Sequence, residues 1–167
     1  MTTRLRPLSD DEVSGYVPYL REVYAAELAE HLYLDVEAAA ARAQRSAAAA
    51  FPDGIPAPGN WLYAVEDGEG TRVGLLWLGE PESGETDVLW IYDIEIEPAH
   101  RGRGLGRDTM RLAEAEARRL GRRRIKLNVF ARNTVARALY LSLGFEEMAI
   151  EMSKAIEGHD GAPDSAD

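Results

Sequence analysis

Cysteine is absent from this chain of 167 residues. That excludes a disulfide framework, a thiolate nucleophile and a cysteine metal site. Histidine is scarce, and His31, His100 and His159 are too scattered to mark a metal centre, so no metal is expected. Long apolar runs are missing as well. The opening Met1-Thr2-Thr3-Arg4-Leu5-Arg6 lacks the hydrophobic core of a signal peptide, and no later stretch could span a membrane. The expectation is a soluble cytoplasmic protein with no membrane partner. This length fits a single domain, residues 1–156. The polar end, residues 157–167, is expected to be a disordered tail.

Positive charge is scarce outside one segment. Net charge is −10, yet residues 101–137 hold eleven arginines and one lysine against Asp108, Glu114 and Glu116, giving that stretch +9 and the remainder −19. An acidic protein with one basic segment argues against nucleic-acid binding. It suits an anionic ligand at the basic segment and a cationic one elsewhere. Some of the arginine is solvated surface: Arg107, Arg111 and Arg118 lie opposite the stripe Leu105, Leu112, Ala113, Leu120 at about 100° per residue.

Patterning predicts a strand over Thr3–Pro7, then a helix capped by Asp10 or Asp11 and running to about Glu30, with Val13, Tyr16, Val17, Leu20, Val23 and Tyr24 at helical spacing. An alanine-rich helix follows over Asp35–Phe51. Trp61–Glu66 and Arg72–Leu78 read as a hairpin about Asp67-Gly68-Glu69-Gly70, and a long strand covers about Thr86–Glu97. A helix to Leu120, a strand over Arg124–Phe130, a short helix over Asn133–Leu143 and a last strand over Phe145–Ser153 complete the order. The fold class is α/β (α+β): a mixed sheet flanked by helices, antiparallel at first, with a parallel crossover in its second half.

The turn entering the crossover is His100-Arg101-Gly102-Arg103-Gly104-Leu105-Gly106. Alternating glycines let the backbone approach a ligand, and peptide N–H groups at the following helix start converge on an anion. A P-loop needs Gly-Lys-Ser/Thr, but Arg107-Asp108 follows Gly106. A dinucleotide fold needs different glycine spacing and an acidic residue about 20 positions on, where this chain has Arg122-Arg123-Arg124-Ile125-Lys126.

Arg101-x-x-Gly104-x-Gly106 after an apolar strand, followed by Asn133-x-x-Ala136-x-x-Leu139-Tyr140-x-x-x-Gly144-Phe145, resembles the GNAT superfamily of acetyl-CoA-dependent N-acetyltransferases. The motifs cover about Ile91–Phe145; the first 90 residues match in element order alone. The resemblance implies a sheet splayed between the strands near 86–97 and 124–130, with the pantetheine arm of acetyl-CoA entering the gap. It implies that backbone groups of Ile94, Glu95 and Ile96 pair with that arm. Amides and side chains over Arg101, Gly102, Arg103, Gly104, Leu105, Gly106 and Arg107 would wrap the pyrophosphate, and Asn133 would contact the arm. Tyr140 would stand beside the thioester sulfur and protonate the departing thiolate. Asn133 has an ordinary use too, as a helix cap.

The base is less determined by motif. Holding a lysine-like amine neutral at pH 7 costs about 4.6 kcal/mol, against about 1.4 for an α-amine, so a group must take the proton. Alternation puts Asp93, Glu95 and Glu97 on one strand face and Tyr92, Ile94 and Ile96 on the other. Glu95 is the first candidate, directly or through water, and Asp93 the second. Some relatives in that superfamily place a carboxylate twelve residues before the tyrosine; here Asn128 stands there and cannot act as a base. The acceptor side would be formed by Tyr16–Phe51 and the 52–59 loop, acidic and tyrosine-bearing, as a cationic small-molecule, peptide or protein amine requires. A catalytically silent acyl-CoA-binding module is the competing reading, and a homodimer through an edge strand is open to this fold.

Overall fold

Five strands pair in the order of the chain. In the computed structural model, which describes residues 3–154, β1 (Arg4–Pro7), β2 (Asn60–Glu66), β3 (Arg72–Gly79) and β4 (Val88–Ile96) are each antiparallel to the next, and β5 (Arg124–Leu127) lies parallel to β4. A parallel neighbour needs a crossover, supplied by α3 (Leu105–Arg119). Helices α1 (Asp10–Leu32) and α2 (Val36–Ala50) precede β2, and α4 (Thr134–Ser142) follows β5.

The sheet is covered on both faces. Val13 and Tyr16 of α1 pack with Phe51, Leu62 and Trp77 on one side. Leu105, Met110, Ala113 and Ala117 of α3 and Tyr140 of α4 pack with Tyr63, Leu76, Leu78, Leu89 and Ile91 on the other. The first helix begins one residue earlier than the sequence predicts. Ser9, not Asp10 or Asp11, is the cap: its hydroxyl accepts from the Glu12 amide at 3.4 Å while Glu12 accepts from the Ser9 amide at 2.9 Å. This reciprocal box satisfies two orphan donors at once, which an aspartate one position on does not. Asp10 and Asp11 instead sit in the first turn, where negative charge suits the helix dipole.

Strand β4 departs from simple alternation. Trp77 pairs with Asp93 and Leu78 with Ile91, so Tyr92 is an extra residue in a β-bulge. Tyr92 therefore packs with Trp77 on the α1 side, at 4.8 Å between rings, and not with Ile94 and Ile96 as the sequence predicts. Beyond the bulge Asp93 and Glu95 face α1, and Ile94 and Ile96 face α3.

Two predicted strands are corrected. The fifth strand ends at Leu127, not Phe130, because its ladder with β4 stops at Ile91↔Leu127. Phe145–Ser153 forms no strand: Met148 (80 % exposed), Ile150 (75 %) and Met152 (89 %) keep the alternating pattern but have no ladder. Alternation prepares a face, and a strand also needs an edge to bond. The predicted tail, residues 157–167, lies outside the described residues.

Candidate active site

The ladder between β4 and β5 breaks where the glycine turn faces it. Four pairs, Val88↔Arg124 to Ile91↔Leu127, join the strands, and β4 then continues beyond β5, still paired with β3, through Asp93–Ile96. Glu97 N donates to Val73 O at 2.9 Å. In an antiparallel ladder bonded residues alternate, so Asp93 and Glu95 direct their main-chain groups at β3, and Ile94 and Ile96 direct theirs into the gap. Of the three residues expected to offer backbone there, Glu95 is thus committed to β3. The Arg101 guanidinium fills one gap position, donating from Nε to Ile96 O at 2.7 Å; its side chain is turned onto β4.

Above the gap, α3 starts without a side-chain cap. Gly104 occupies its cap position at φ 82°, Gly102 stands at φ 75°, and the first main-chain bond is Asp108 N to Gly104 O at 3.1 Å. The leading N–H groups of a helix have no partner within it. A Cβ built at Gly102 or Gly104 meets nothing within 4 Å, so the turn is open on its outer side. Most of the basic segment is neutralised elsewhere: Arg111, Arg118 and Arg119 pair along α3, while Arg122, Arg124 and Lys126 pair with Glu80, Asp87 and Glu85. Among the described residues Arg103 and Arg107 form no ion pair, and Arg107 donates to Ser142 Oγ at 2.7 Å. An uncapped helix start, two left-handed glycines and unpaired guanidinium groups fit a diphosphate.

Gly104→Val should weaken coenzyme A binding about tenfold or more, because a β-branched residue resists this left-handed conformation. Arg103→Ala removes one exposed charge and should cost only a few-fold. Gly106 is different: it is helical, and a Cβ there would reach van der Waals distance of Leu139 Cδ2, at 3.4 Å. Isothermal titration with coenzyme A checks both substitutions; equal losses would contradict the backbone account.

Asn133 caps α4, its Oδ1 accepting from the Ala136 amide at 3.1 Å. That short helix carries Tyr140 into the core, 9 % exposed, with Phe145 at 5.7 Å between rings. Burial pushes the Tyr140 phenol up, and the negative charge of Asp93 adds to the effect. On the other side, α1 reaches across with two tyrosines one turn apart. Tyr16 OH donates to Asp93 Oδ2 at 2.7 Å, and Tyr19 OH to Glu95 Oε2 at 2.9 Å. Burial raises the Asp93 carboxyl, the Glu95 charge raises it further, and the Tyr16 hydrogen bond opposes both. Tyr19 is itself pushed up to about 12, by desolvation first and then by Glu95.

The sequence did not single out Glu27. Burial raises its carboxyl, and Asp93 adds negative charge. The available signal was position: Tyr16, Leu20, Val23 and Glu27 follow one helical stripe, and a carboxylate there is out of place on an apolar face. Tyr16 was legible as core and as part of the acceptor side, not as a partner of Asp93. Its bond to Asp93 predicts that Tyr16→Phe, which keeps the ring against Phe51, raises the Asp93 carboxyl further. The acid limb of kcat/KM should then move to higher pH, read from a pH–rate profile.

Comparisons with known proteins point to one family. The family profile described as "Acetyltransferase (GNAT) family" matches residues 18–145. YycN of Bacillus subtilis, described as an uncharacterised N-acetyltransferase, is 31 % identical over 93 % of this chain and 100 % of its own length. Its crystal structure superposes with a TM-score of 0.84, covering 93 % of this chain and 99 % of that one. Mycothiol acetyltransferase of Beutenbergia cavernae is 33 % identical over 58 % of this chain but only 31 % of its own length. AAC(6')-Iy, solved with a bisubstrate analogue of coenzyme A and acetylneamine, shares the fold at a TM-score of 0.58, 15 % identity, and coverage of 93 % of this chain and 99 % of that one.

Proposed function

This chain belongs to the GNAT acetyltransferase family and is an acyltransferase, and on that premise we propose that it moves the acetyl group of acetyl-CoA directly onto a primary amine. The observation that supports this reading is an uncapped helix start beside the place where β4 and β5 part.

The residues divide the work. The amides of the glycine turn and of the start of α3, from Gly102 to Arg107, hold the diphosphate, with Arg103 and Arg107 adding charge. Main-chain groups of Ile94 and Ile96 align the pantetheine arm, and the free amide of Asn133 is available to it. Bound acetyl-CoA supplies an activated acyl carbon with a thiolate leaving group. Asp93 accepts the proton of the incoming ammonium, since a carboxyl raised by burial is a better base than an exposed one. Glu95, more open to solvent, draws that cation in. Tyr140 delivers its phenolic proton to sulfur as the C–S bond breaks and the C–N bond forms. A phenol raised by burial stays protonated at neutral pH and can serve as that acid. Proximity supplies the rest, because amine and thioester are held together in one site. The choice of Asp93 over Glu95 as base rests on its burial and its bond to Tyr16.

The test is thiol release from acetyl-CoA across a panel of amines, with acetylated product identified by mass spectrometry. Turnover on at least one primary amine is expected. Tight coenzyme A binding with no turnover on any amine would instead support a silent acyl-CoA-binding module.

A further inference from the structure

A cavity of about 540 Å³ lies beside Glu95 on the α1 side of the sheet, walled by Tyr16, Tyr19, Leu8, Leu75 and Pro98. Most charges around it are already matched. Glu12 pairs with Arg6 at 2.9 Å, and Arg72 pairs with Glu97 at 3.2 Å. Glu95 is the least tightly matched: its near partner is the neutral Tyr19 hydroxyl, and its ion pair with Arg101 is long, at 3.8 Å. One carboxylate with spare capacity suits one cation, and the surrounding walls are aromatic and aliphatic.

Gly15 borders the same cavity from inside α1. Glycine within a helix is unfavourable relative to alanine. Here the fold gives no packing reason for it, since a Cβ built at Gly15 meets nothing within 4 Å. Gly15 is exposed and lines the cavity, so a larger side chain there has room to extend over it.

We infer that this cavity is the acceptor subsite, that it takes a small primary monoamine with an apolar or aromatic body and its ammonium at Glu95, and that Gly15 sets how large that body can be. The inference rests on the acetyl-transfer reading above and narrows it to a substrate class. Polyamines and amino sugars fit worse, because the other carboxylates lining the cavity, Glu12 and Glu97, are already paired with Arg6 and Arg72.

Phenethylamine is the probe, with spermidine as the polycationic comparison and two substitutions at Gly15. Calorimetric titration of phenethylamine into the cofactor-free protein should show binding that Gly15→Leu weakens about tenfold or more, the scale on which added methylene groups alter a pocket. Spermidine should bind less tightly than phenethylamine. Gly15→Ala should raise Tm by about 2–4 °C, as glycine is replaced inside a helix without a clash. Coenzyme A affinity should be the same in all three proteins. The assignment is overturned if phenethylamine fails to bind, if Gly15→Leu binds it equally well, or if spermidine binds more tightly. A fall in Tm for Gly15→Ala also overturns it, for the glycine would then serve the backbone of α1. Binding that follows this pattern with no acetyl transfer to any amine would support the cavity assignment while sinking the catalytic reading, so the two failures are distinguishable.

Discussion

Asp93→Asn is expected to lower kcat by about 10²–10⁴-fold, the range a positioned general base contributes, without loss of stability at pH 7. The substitution keeps shape and a group able to bond Tyr16 OH, which stands 2.7 Å from the native carboxylate. The stability sign follows from the direction of the shift. The folded-state Asp93 carboxyl is raised above its ordinary value by burial. Such a group favours the fold while protonated, below its unfolded value. That contribution is lost as pH rises through the folded value, and the ionised side chain is then held where it is poorly solvated. Asparagine carries no charge to desolvate. The Tm of Asp93→Asn should therefore match or exceed that of the parent at pH 7, and the difference should shrink as pH falls towards 4. Steady-state kinetics with paired thermal melts decide the matter. Unchanged kcat would move the base elsewhere, with Glu95 next in line. A large drop in Tm at neutral pH would mean the carboxylate is structural.

Tyr140→Phe is the second large effect. Removing the phenolic oxygen leaves the ring in place against Phe145 and takes away only the proton offered to sulfur. Turnover should fall by about 10²–10⁴-fold with coenzyme A affinity unchanged, since the diphosphate site depends on the start of α3. The pH dependence carries a further mark. Because burial and Asp93 hold the phenol above its usual value of 10, parental activity should persist into alkaline solution before its basic limb appears. The phenylalanine variant should lack that limb. If kcat is retained, or if both binding and rate fall together, Tyr140 is a packing residue and the departing thiolate finds its proton elsewhere.

Those two residues were legible to different degrees, and the reason is distance along the chain. Tyr140 sits in a motif whose parts all lie between Asn133 and Phe145, and the helix they form needs nothing remote: Asn133 caps it and Gly144 lies just beyond it at φ 88°. The glycine turn was readable for the same reason, since positive φ and an uncapped helix start follow from local residue types. Asp93 was visible only as one of three alternating carboxylates. What separates it from Glu95 is Tyr16, 77 positions earlier, and no pattern within either segment announces that bond. The bulge at Tyr92 was hidden similarly, because it is a mismatch between two strands and neither strand records it alone.

The amino-acid sequence by itself determined the chemistry available: no thiol, a phosphate-ready turn, a tyrosine on the following short helix and carboxylates on the preceding strand. It also determined the order of elements, since hydrophobic period, glycines and caps act over a few residues. Tertiary structure decided which carboxylate is buried against Tyr16, which main-chain groups of β4 face the gap, and that the alternating segment after Phe145 stays unpaired. Those outcomes depend on desolvation and on ladder register, and both are set by residues that meet only when α1, β4 and α4 converge.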